Sequence, residues 1–153
     1  MNQLQRISFA PSGLAGADIF NTGPSTDLVN RAKAKSVGLL IQHKSGDTGA
    51  GTIVAKAASN AAGDNAEAIE CKVRVASSGN QFGPVANVTT SGYSFPAGSS
   101  PKQVLLIIDK NPADKPFVFF DTTETVDSPV VADTCLVLGD LAWLTDTQLD
   151  CLS

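Results

Sequence analysis

Apolar and polar positions alternate most cleanly between Ile69 and Val75, where Ile69, Cys71, Val73 and Val75 are interleaved with Glu70, Lys72 and Arg74. A period of two places these sets on opposite faces of a strand with one face wet, which fits an antiparallel sheet. Val37 to Lys44 repeats the pattern, with Leu39, Ile41 and His43 on one face and Leu40, Gln42 and Lys44 on the other. Thr52 to Ala58 reads as a small-residue strand and Val85 to Thr90 as another, while Tyr93 and Phe95 fall in a loop-rich stretch. Three apolar runs follow: Val104 to Ile108, Phe117 to Phe120 and Val130 to Leu138. The first two are too short for helices and rich in β-branched and aromatic residues, so they read as strands. The connector from Asp109 to Pro116 contains Pro112 and Pro116, which remove backbone donors and stop either run from extending into it. The pattern predicts a β-hairpin with a polar loop that continues into a meander, with Cys71 and Cys135 at inward phases.

The ends of the chain are patterned differently. Residues 1–35 scatter Ile7, Phe9, Leu14, Ile19 and Phe20 among Pro11, Gly13, Gly16, Gly23 and Pro24. Such spacing predicts an extended N-terminal arm with one or two short strands, too irregular to bury itself and too apolar to stay solvated. Asp27 to Lys35 has the length of a short helix, but Val29 and Asn30 are indifferent helix formers and no capping box precedes them. Residues 36–140 form the predicted sandwich domain. Residues 141–153 form a short C-terminal tail, where Thr145 and Gln148 have capping-box spacing and Trp143 and Leu144 are the anchors. About seven or eight strands separated by polar, Gly/Pro-rich turns predict an all-β antiparallel β-sandwich.

Composition narrows the function classes. Of 153 residues, only 17% are charged while 42% are hydrophobic, so the surface is suited to touching other protein. The formal net charge is -4 and no basic cluster occurs, which argues against nucleic acid as a partner. No run approaches the length of a membrane span, and the first residues lack a Sec-type pattern. Cys71, Cys135 and Cys151 are odd in number, so reduced thiols and folding in a reducing cytoplasm are expected.

Candidate chemistry is sparse. Asp47-Thr48-Gly49-Ala50 has the lettering of an aspartic-protease loop, but Lys44-Ser45-Gly46 precedes it where those enzymes place apolar residues. A solvated turn is the expected role. His43 is the single histidine and falls mid-strand, with no Gly-x-Ser-x-Gly elbow in the chain, so a structural role is expected for it. The cysteines and His43 lack zinc-site spacing, and Asp64, Glu67, Glu70, Asp121, Glu124 and Asp127 lack the order of a calcium loop. Asn87-Val88-Thr89 has the glycosylation pattern. The chain is expected to be no enzyme and to carry no catalytic, cofactor or metal residues.

The order of elements carries a resemblance. A loose arm and a small-residue strand pair lead to Lys115-Pro116-Phe117-Val118-Phe119-Phe120-Asp121 and then to Val131-Ala132-Asp133-Thr134-Cys135-Leu136-Val137-Leu138-Gly139-Asp140. In texture, from Val37 to Asp140, this resembles the jelly-roll capsid cement (decoration) proteins of tailed bacteriophages, the Bordetella phage cement family. The resemblance implies a jelly-roll fold and a structural virion protein on the capsid outer surface that bridges major capsid protein subunits. The irregularly spaced apolar arm itself predicts Ile7, Phe9, Leu14, Ile19 and Phe20 as capsid or subunit contacts of a homo-oligomer, dimer or trimer. The alternative is a sugar- or receptor-binding β-sandwich module, for which Phe82, Tyr93 and Trp143 must gather on one exposed face.

Overall fold

A computed structural model describes residues 7–45, 48–76, 81–97 and 103–139. Asp47 and the tail residues Trp143, Leu144, Thr145, Gln148 and Cys151 lie outside them. The strands are β1 (Ile7–Pro11), β2 (Val29–Asn30), β3 (Ser36–Ser45), β4 (Ala50–Ala58), β5 (Glu67–Ala68), β6 (Cys71–Ala76), β7 (Ala86–Val88), β8 (Tyr93–Phe95), β9 (Gln103–Ile108), β10 (Phe117–Val126) and β11 (Val131–Gly139). They form two antiparallel sheets in a sandwich-like arrangement. One has the order β1-β11-β3-β9-β6-β7, the other β2-β10-β4-β5 with β8 also paired to β4.

The expected hairpin and meander are corrected by this order. β9 pairs with β3 and β6, whereas β10 pairs with β2 and β4 in the other sheet, and β11 returns to the first beside β3. The Asp109–Pro116 connector therefore crosses between sheets. The physical reason lies in β9, whose residues Val104 to Ile108 are buried on both faces and need long partners on either side. β10 also runs on past Phe120 through Thr122 and Thr123, because Phe120 and Thr122 point inward while Asp121 and Thr123 face out. Tyr93 and Phe95, expected in a loop, form β8. No helix occurs among the described residues, and Asp27 to Lys35 instead gives β2 and an Asn30 turn in which Ala32 N–H donates to Asn30 Oδ1 at 2.9 Å.

Inward-facing residues from both sheets make one core: Leu39 and Ile41 of β3, Leu106 of β9 and Leu136 of β11 meet Ile53 of β4, Val118 and Phe120 of β10, and Phe95 of β8. Ile19 and Phe20 belong to that core and are fully buried. This corrects the expectation that the first segment cannot bury itself. Ile19 N–H donates to Val130 O at 3.1 Å, and Thr26 N–H donates to Phe120 O at 2.8 Å while Thr26 Oγ1 accepts from Phe120 N–H. The segment is thus sewn to β10 and the start of β11, and tertiary hydrogen bonds replace the regular spacing it lacks. Each fully buried Phe or Ile side chain contributes about 1.5–3 kcal/mol.

Candidate functional site

His43 is buried and stacks edge-on against Phe95, with ring centroids 5.3 Å apart at 89°. Phe95 in turn meets Phe20 at 5.8 Å. The histidine is therefore a core residue, as the mid-strand position predicts. Among the described residues no group of three or more His, Cys, Asp and Glu is placed to hold a metal ion. Thr48, beside Asp47, is exposed and donates from Oγ1 to Ser128 Oγ at 3.0 Å.

The thiols differ from one another. Cys71 is buried and free, and burial, with Asp109 adding to it, pushes its pKa up to about 12. Cys135 is half-buried, because the outward phase of β11 is Asp133, Cys135 and Val137 while Ala132, Leu136 and Leu138 face in. The expected inward phase of Cys135 is corrected accordingly. Burial raises its pKa too, so both sulfurs are thiols at neutral pH, the unreactive form.

A polar cleft of about 530 Å³ opens beside β6, β7 and the Asp109–Pro116 connector, lined by Lys72, Asn87, Thr89, Asp109, Lys110 and Asn111 among others. Lys72, Asp109 and Asn111 of this lining are engaged by protein groups. Lys72 Nζ lies 2.9 Å from Asp109 Oδ2, Arg31 Nε donates to Asn111 Oδ1 at 3.0 Å, and Arg31 Nη2 donates to Asp109 O at 2.8 Å. Asn111 Nδ2 donates to Lys115 O at 2.7 Å. Burial lowers the Arg31 pKa, and Asp109 opposes that. The arrangement locks the connector to the N-terminal segment.

The outer faces of the two sheets are unlike. On the six-stranded sheet the strand registers line up Ile107, Gly38, Val137 and Phe9 in one outward row, and Leu105, Leu40, Cys135 and Pro11 in the next. Lys72 and Arg74 of β6 flank the rows. Leu105, Ile107 and Val137 are withdrawn from water, with Ile7, Leu40, Phe82 and Cys135 packed around them. The open apolar area is concentrated on β1, where Phe9 is 70% exposed. On the other sheet, Thr52 stands between Ser94 and Thr123, and Lys56 pairs with Asp121, which also accepts from Ser25 Oγ at 2.7 Å.

These placements sort the predicted contact residues. Phe9 is open, Ile7 and Leu14 are half-buried, and Ile19 and Phe20 are inside the core. Phe82 lies against the outer face of the six-stranded sheet, whereas Tyr93 belongs to the five-stranded sheet and packs on the core, where burial raises its pKa. The two therefore do not share a face, and Trp143 lies outside the described residues. The free edge and the apolar rows were not read from the sequence, although the outward phase of Leu40 and the uncharged string Ile7-Ser8-Phe9-Ala10-Pro11 were legible signals. In comparisons with known proteins, the chain matches no family model, no curated protein and no solved structure.

Proposed function

We propose that the chain is a capsid cement subunit: a structural virion protein that attaches to major capsid protein on the outer shell and performs no chemistry. The observation that carries this reading is the apolar edge of the six-stranded sheet, open at Phe9. Two apolar rows, bordered by Lys72, Arg74 and the Lys44–Asp133 pair and largely withdrawn from water, end at that exposed ring. An exposed aromatic on an uncharged edge suits a molecule with that side against protein.

The strand order supports a jelly roll as the finer description of the fold. β1, β11, β3 and β9 are neighbours in one sheet, β2, β10, β4 and β8 in the other. The chain steps from sheet to sheet as two interlocked Greek keys do, with β6 and β7 extending the first sheet. In this reading the protein folds in the host cytoplasm and ends on the virion. Purified protein is expected to co-sediment with shells assembled from the major capsid protein of the same virus and to raise their disruption temperature. Absence of binding at saturating protein overturns the proposal.

A further inference from the structure

We propose that β1 pairs with β1 of a second copy of this chain, antiparallel across a twofold axis at Phe9, joining two six-stranded sheets into one. Among the described residues β1 lies at the end of its sheet and pairs with β11 alone. It is the longest edge strand of the two sheets with 5 residues, against 3 in β7 and 2 in β2. Exposed edges are ordinarily guarded by lysines, prolines, inward charges or bulges, and of these β1 carries only Pro11, at its end. Ile7-Ser8-Phe9-Ala10-Pro11 has no charge at all, and its largest side chain is the most exposed apolar one among the described residues.

The phase of the backbone decides whether such an edge can pair. Ala132 N–H donates to Gly16 O on the β1 side of β11, so the backbone groups of Leu136 and Leu138 point toward β1 by alternation. Their antiparallel partners, Ala10 and Ser8, therefore hold the hydrogen bonds to β11. Ile7, Phe9 and Pro11 present their backbone groups to the open edge. Pro11 agrees independently, since a proline in a strand turns its donorless nitrogen away from the ladder.

A twofold through Phe9 matches this phase. Phe9 faces Phe9 of the second copy and exchanges both N–H to O=C bonds with it, and each Ile7 N–H meets the Pro11 carbonyl opposite. The missing Pro11 donor costs a bond only at each end. Both Phe9 rings stand side by side on the outer face, within reach of an aromatic cross-strand contact. A pair of five-residue strands falls short of the roughly 1,200 Å² of a standard stable interface, so the dimer dissociates on dilution. The pairing requires no capsid and is independent of the cement reading.

Sedimentation equilibrium of the full chain from micromolar to millimolar concentration tests it. The expected result is a monomer–dimer equilibrium whose Kd rises at least tenfold in Phe9→Pro, which removes the open-edge donor while leaving the Ser8 and Ala10 bonds to β11. Phe9→Lys is expected to do the same, Val126→Lys to change nothing, and the Ile7 and Phe9 amides to gain exchange protection with concentration. A strict monomer, a dimer indifferent to both Phe9 variants, or a larger closed ring overturns the proposal. If Phe9→Pro alone fails to fold, Phe9→Lys and the amide protection decide.

Discussion

Gly51 lies directly beneath the Phe20 ring, and a Cβ built there would overlap ring carbons. Because the ring is boxed in by Phe95 and the core, it has little room to move. Gly51→Ala is expected to cost about 1–3 kcal/mol, the usual penalty of overpacking, read as a lower urea midpoint with unchanged slope. Cys71 gives a pH signature. Its folded pKa of about 12 lies above the ordinary 9.0, so its contribution to stability is fully present below pH 9 and is lost as pH rises toward 12. Stability therefore falls with pH in that window, because the folded state holds the thiol proton that the unfolded state has released. Cys71→Ala is expected to flatten that fall, measured as urea midpoints at pH 8 and at about pH 10.5, relative to wild type. The residue scale is also where the sequence was most readable: the two faces of Val37–Lys44 and the core role of His43 follow from alternation alone. Cys135 did not, since its apolar neighbours in sequence hide which phase of β11 the core takes.

At the scale of elements, the first segment shows what periodicity cannot convey. Its five apolar residues were visible, yet only the hydrogen bonds from Ile19 to Val130 and from Thr26 to Phe120 decide which of them enter the core. Those bonds join positions about a hundred residues apart and leave no local pattern. Two phenylalanines in this segment should consequently behave oppositely. Phe20→Ala is expected to cost about 3–5 kcal/mol, whereas Phe9→Ser should stay within about 0.5 kcal/mol in dilute protein, both by urea denaturation. Removing residues 1–20 would strip Ile19 and Phe20 from the core, so that deletion would report on folding, whereas single changes at Phe9 report on the surface. β8 was missed for a related reason: three residues carry too little alternation to separate a strand from a loop, and its partner β4 lies far back in the chain.

At the scale of the molecule, the antiparallel sense of the strands was legible, whereas their number, eleven among the described residues against the seven or eight expected, and their allocation to sheets were not. Short apolar runs separated by turn residues look alike whether the chain doubles back in one sheet or crosses to the other. The connector from Asp109 to Pro116 can distinguish these cases by its reach. β10 lies across the sandwich from β11, since Val118 and Phe120 of β10 pack in the same core as Leu136 of β11. β9 is two places along from β11, with β3 between them. Going from β9 to β10 thus requires crossing about 10 Å between sheets and about 10 Å sideways, two strand spacings, or roughly 14 Å in all. Two residues supply three Cα steps, about 11 Å at full stretch. Replacing Asp109–Pro116 by Asn-Gly, an ideal hairpin turn, is therefore expected to abolish cooperative unfolding, although it would serve a hairpin well. Inserting four Gly and Ser residues after Pro112 should cost about 1 kcal/mol or less, because closure entropy grows slowly with loop length. The Arg31 side-chain bonds to Asp109 and Asn111 hold the connector before that insertion and the Arg31 N–H bond to Pro116 O holds it after, and a cooperative, well-folded Asn-Gly variant would place β9 and β10 in one sheet after all.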